Sequence, residues 1–137
     1  MPRTVLRIRQ RFCSILIFFI FLSFLNSQSQ TAIIHADILS EPTGVEVTIL
    51  FDRTIDRDDI SGWIDRQNWF TLSLFNVSLS SPDIIKKKFN YPLLSVDVSE
   101  TDGSIQIIFH TARTIDSYQL IRHAKGKNLL AVLNYSA

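Results

Sequence analysis

Slid against itself by 60 places, the chain sets "VEVTILFDRTID" at 45–56 over "IQIIFHTARTID" at 105–116. Val meets Ile, Glu meets Gln, and "RTID" meets itself. The register carries on without a gap: Ile60 lies over Leu120, Asn68 over Asn128, Phe70 over Leu130, Leu72 over Val132 and Phe75 over Tyr135. Upstream, "DILSEPTG" matches "DVSETDG" with a one-residue slip, and both end in a Gly of the kind tight turns use. So regular a match of apolar class predicts one small unit written twice in 137 residues.

Each unit reads as strands. Val45, Val47, Ile49 and Phe51 alternate with Glu46, Thr48 and Leu50, and Ile105, Ile107 and Phe109 alternate with Gln106, Ile108 and His110. A period of two is that of a half-buried strand. "SEPTG" and "SETDG" predict hairpins, a short third strand follows around 60–64 or in "YQLIRH", and a polar turn leads to "WFTLSLFN" or "LLAVLNYS". Two units of four strands predict an all-β fold, an eight-stranded antiparallel β-sandwich, with either one sheet per unit or strands exchanged between sheets. The boundaries are about 37–76 for the first repeat, 77–93 for the crossover and about 94–136 for the second, within a domain over 37–137. In the crossover, "SSPDIIKKK" fits a single helical turn capped by Ser81 or an extended segment.

The first 29 residues differ in kind. Arg3, Arg7, Arg9 and Arg11 precede the apolar run "SILIFFIFLSFL" at 14–25. Ser27 and Ser29 are spaced as the −3 and −1 residues of a cleavage site, so 1–29 reads as a signal peptide cut after Ser29. The run is too short for the roughly 20 residues that span a bilayer. Setting aside those four arginines leaves ten Lys and Arg against 13 Asp and Glu, a balance near −3 that argues against a nucleic-acid partner. Cys13, the only cysteine, lies in the removed segment. An exported domain without disulfides must be held by its own core, which suits a bacterial periplasm or cell envelope, with membrane contact only through the signal peptide.

The second copy, "GSIQIIFHTARTIDSYQLIRHAKGKNLLAVLNYS", resembles the AMIN domain in its alternating strand, polar corner, Tyr-led short strand and Leu/Val-rich strand after a turn. It departs from that pattern at Asn134, where an acidic residue is common, and in "AKGKN", which lacks the usual Pro and Arg. AMIN domains stand at the N-terminus of exported N-acetylmuramoyl-L-alanine amidases and of pilus secretins. The resemblance implies a β-sandwich that holds its host on peptidoglycan, with a linker and catalytic domain expected beyond Ala137.

The residues themselves offer binding more readily than catalysis. His35, His110 and His123 are not spaced with carboxylates as zinc ligands, and Asp52, Asp56, Asp58 and Asp59 lack the Gly-centred spacing of a calcium loop. No nucleophile elbow is present, so no catalytic residue, metal or cofactor is expected. If Ile60 and Leu120 face inward, then Trp63 and His123, three residues on, present flat rings to the opposite side, and Trp69 opposes the inward Phe70, Leu72 and Leu74. Such rings suit sugar faces or plug the end of a sandwich. Lys86, Lys87 and Lys88 concentrate positive charge in an acidic chain, either as a solvated surface or for wall carboxylates and phosphates. The leading expectation is a non-catalytic module that binds peptidoglycan. A second is a protein-interaction module whose sheet edge accepts a strand from a secretin or divisome-type envelope protein.

Overall fold

A computed structural model describes residues 30–85 and 88–137. The signal-peptide reading of 1–29 lies outside the described residues, as do Lys86 and Lys87. Among the described residues there are nine strands: β1 (Thr31–Glu41), β2 (Gly44–Phe51), β3 (Ile60–Asp65), β4 (Trp69–Phe75), β5 (Val77–Leu79), β6 (Leu93–Thr101), β7 (Ser104–Thr111), β8 (Ile115–His123) and β9 (Asn128–Tyr135). They form a five-stranded sheet in the order β5-β1-β2-β9-β8 and a four-stranded sheet in the order β3-β4-β7-β6.

The period-two pattern decides what each strand buries. Val45, Val47, Ile49 and Phe51 of β2 are buried, as are Ile105, Ile107 and Phe109 of β7, while Glu46 and Gln106 between them are exposed. Phe70, Leu72 and Leu74 of β4 and Leu129, Ala131 and Leu133 of β9 belong to the same buried cluster, so both sheets feed one core. Each Leu, Ile or Phe withdrawn from water there contributes about 1.5 to 3 kcal/mol relative to an exposed position.

Of the two arrangements open from the sequence, strand exchange is the one adopted. β2 pairs with β9, and β7 pairs with β4, so each sheet draws on both halves of the chain. Leaving β5 aside, the order β1-β2-β9-β8 in one sheet is β6-β7-β4-β3 in the other with the halves interchanged. The two "RTID" corners are tied across the halves in the same way. Ile55 N–H donates to the Gly126 carbonyl (2.8 Å), Ile115 N–H donates to the Gln67 carbonyl (2.7 Å), and both isoleucine side chains are buried.

Several expectations are corrected. The strands number nine, not eight, and pairing is not wholly antiparallel, because β5 arises inside the crossover and runs parallel to β1. β1 begins at Thr31, six residues ahead of Asp37, and the backbone of 31–33 on that edge would otherwise lack partners. Asn76, at φ 57°, turns the chain out of β4 so that the buried Val77 can reach that edge. "SSPDII" forms one turn, with Ile84 N–H donating to the Ser81 carbonyl (3.2 Å), and Ile85 then bridges Ala36 in parallel. Gly103 does occupy its turn, at φ 79°, but Gly44 is a strand residue paired with Asn134. A side chain at Gly44 would collide with the Leu133 carbonyl, so close approach of β9 is what requires glycine there.

The 60-place register also fails beyond the corner. Ile49 is opposite Leu129, whereas Phe109 is opposite Phe70, so Phe70 corresponds to Leu129 rather than to Leu130. The first half interposes a 3-10 turn at Arg57–Asp59 before β3, while the second runs directly into β8 with a bulge between Ile115 and Ser117. The turn between the last two strands is three residues, 66–68, in one half and four, 124–127, in the other. As a result Trp63, opposite Thr71, corresponds to Ile121, opposite Leu130, and not to His123.

Candidate functional site

The outer face of the four-stranded sheet carries the aromatic residues that point to a site. Phe70, Leu72 and Leu74 turn inward, which sends Trp69, Thr71 and Ser73 to the other side of β4. Register then sets His110 of β7 opposite Trp69, and the two rings stack with centroids 3.9 Å apart and planes 6° from parallel. Asn68 supports the pair, its Nδ2 lying 3.4 Å from His110 Nε2 and donating to the Thr111 carbonyl at 3.3 Å. Thr111 answers by donating its N–H (3.0 Å) and its Oγ1 (3.2 Å) to the Asn68 carbonyl. The stack is therefore pinned at the turn end of the hairpin rather than free to swing.

One row along, Trp63 stands opposite Thr71, which in turn faces Ile108. Trp63 is 42% exposed, so its ring covers surface instead of plugging the core. Because Trp69 is opposite Asp65 and Trp63 opposite Thr71, the two tryptophans are diagonal neighbours, about 7 to 8 Å apart along the backbone. Asp65 on β3 and Asp97 on β6 are exposed at the two edges of this face. Aromatic planes flanked by carboxylate acceptors can stack on the apolar side of a sugar ring while accepting from its hydroxyls.

The other residues singled out from the sequence are not assembled here. His123 is exposed but lies on β8, in the five-stranded sheet, opposite Asn128. Lys88 is exposed in the irregular segment between β5 and β6, outside both sheets. His35 forms a 2.7 Å contact with Asp37 on β1. Among the described residues no three His, Cys, Asp or Glu side chains are grouped to hold a metal ion. His110 is the residue of this aromatic face that sequence reasoning missed. Its place depends on β4 pairing with β7, which no local pattern reveals.

No protein-family model matches the chain, and no curated protein matches it.

Proposed function

We propose that the chain is a non-catalytic peptidoglycan-binding module of the periplasm or cell envelope, a duplicated β-sandwich of the AMIN type such as precedes the catalytic domain of cell-wall amidases. The observation that carries the reading is the flat aromatic face, with the Trp69–His110 stack beside an exposed Trp63. The interchanged strand order of the two sheets supports descent from a duplicated four-stranded unit.

The test is sedimentation of the full-length chain with insoluble peptidoglycan, alongside Trp63→Ala and Trp69→Ala. Binding is expected on the order of micromolar or weaker, because one shallow sheet face buries little area. Both substitutions should weaken it, and a parent chain that never sediments would overturn the reading. A second reading, strand addition by an envelope protein, is favoured by β6. It is nine residues long, forms the outer edge of its sheet and exposes Leu94. Capture from envelope extract without capture by purified peptidoglycan would put that reading first.

A further inference from the structure

The strongest unassigned feature is the groove between β3 and β8, the edge strands of the two sheets on one side of the core. Tyr118 closes part of this gap: its hydroxyl donates to the Gly62 carbonyl at 2.6 Å, and its ring sits 4.9 Å from that of Phe70. Beyond Tyr118 the edges part around a cavity of about 500 Å³ lined by Arg57, Ile60, Leu120, Ile121, Arg122 and Leu129. That volume is within the range of small-molecule sites. Leu129 is fully buried, so the floor is the core itself.

Among the described residues the lining combines two guanidinium groups with aliphatic side chains and contains no carboxylate. Arg122 Nε is buried without a hydrogen-bond partner, and neither arginine has an ion-pair partner among the described residues. Arg122 as a whole is half-buried, but its Nε–H is a donor shielded from water without a partner, and an anion seated in the groove would meet the guanidinium's unmet donor capacity. The fold also leaves room for the Arg122 side chain. Gly126 lies beneath it at φ 83°, and a Cβ there would come within 2.5 Å of Arg122 Nη2 and 2.8 Å of the Thr54 methyl. The missing side chain at 126 is the space the guanidinium occupies.

We infer that this groove is a binding site for a carboxylate carried on a short aliphatic chain, with Arg122 and Arg57 taking the carboxylate and Ile60 and Leu120, backed by the buried Leu129, the hydrocarbon. Planar guanidinium groups match carboxylate geometry, and two of them on an apolar floor select an anion with an apolar body over a bare ion. Such a group is found at the end of a peptide whose last residue is aliphatic, or in a free branched carboxylic acid. The inference does not rest on the wall-binding reading, since the aromatic face is on the outer side of the four-stranded sheet.

Backbone amide NMR of the full-length chain tests it, with N-acetyl-L-leucine, 4-methylpentanoate, N-acetyl-L-leucinamide and inorganic phosphate as probes. N-acetyl-L-leucine should move the amides of Leu120, Arg122 and Gly126 with a Kd on the order of millimolar, as suits so small a ligand. The neutral amide should bind at least tenfold more weakly. 4-Methylpentanoate binding as well as the acetylated residue would assign the site to a free acid, and clearly weaker binding would assign it to a chain end; both support the inference. Arg122→Gln and Arg57→Gln should each weaken binding about tenfold, and Arg57, at the mouth of the groove, carries the test if the Arg122 variant fails to fold. Trp63→Ala should leave the titration unchanged. Equal binding of leucinamide, equal binding of phosphate at the same amides, or no shift with any probe would overturn the inference.

Discussion

The two outer sheet faces share a backbone plan and differ in chemistry. On the four-stranded sheet, Trp63 stands opposite Thr71 and Trp69 opposite His110. At the corresponding places of the five-stranded sheet, Ile121 stands opposite Leu130 and Asn128 opposite Leu50. The inward positions, by contrast, keep their class: Phe70, Leu72 and Leu74 answer Leu129, Ala131 and Leu133, all fully buried. Packing against the shared core restrains the inner faces at close to crystal density, while the outer faces are free to diverge. The aromatic residues have gathered on one of them, so the two faces are natural controls for each other.

The largest effects should fall where the halves are most alike. Phe70→Ala is expected to cost about 3 to 5 kcal/mol and its counterpart Leu129→Ala about 2 to 5 kcal/mol, each in a single cooperative urea transition. A loss from one half only, or two separate transitions, would break the equivalence of the inner faces. Next come the turns, where Gln67, at φ 65°, matches Gly126, at φ 83°. Gly126→Ala should destabilise by about 1 to 2 kcal/mol through the left-handed backbone alone, and more through contact with Arg122. Gln67→Gly should be neutral or stabilising by up to about 1 kcal/mol, and both are read by thermal melts.

The outer faces are compared directly by Trp63→Ala and Ile121→Ala. The first should reduce sedimentation with peptidoglycan by about tenfold, on the order of 1.4 kcal/mol, with little change in melting. The second should leave sedimentation as it was. If the Trp63 variant binds normally but melts far lower, its ring is serving the core; equal losses from both variants would erase the distinction between the faces.

The smallest effect is confined to alkaline pH. Arg113, at the second "RTID" corner, donates to the Pro42 (2.7 Å) and Ser136 (2.6 Å) carbonyls and lies 5.4 Å over the Tyr135 ring. Burial raises the Tyr135 hydroxyl above its ordinary 10.0, and Arg113 partly counters the rise. The folded state therefore holds the phenol proton more tightly than the unfolded chain. That contribution is fully present below pH 10.0 and is lost as pH climbs through the raised value. Because the buried hydroxyl has no hydrogen-bond partner, Tyr135→Phe should be close to neutral at pH 7 and should flatten the fall in Tm above pH 10. An unchanged alkaline slope would assign the loss to other groups.

What was legible in the chain was local. Alternation along 45–51 and 105–109 is a property of neighbours in sequence, so strand identity and inward side chains could be read directly, as could the trio Phe70, Leu72 and Leu74 with Trp69 opposed to it. The matching corners were legible because "RTID" recurs intact. The equivalence of His123 with Trp63 fails for a local reason as well: a 3-10 turn in one half, a bulge in the other and an unequal turn length move the register by steps that residue matching passes over.

By itself the sequence determined that the chain is β-rich, that its two halves are alike, and which side of most strands is apolar, because side-chain direction in a strand follows from a two-residue period. Only the tertiary structure decided that β2 joins β9 and β4 joins β7, that His110 lies against Trp69, and that Arg57 and Arg122 line one groove. Those pairings join residues far apart in the chain, and the choice among partner strands is made by how the whole set of apolar faces closes over one core.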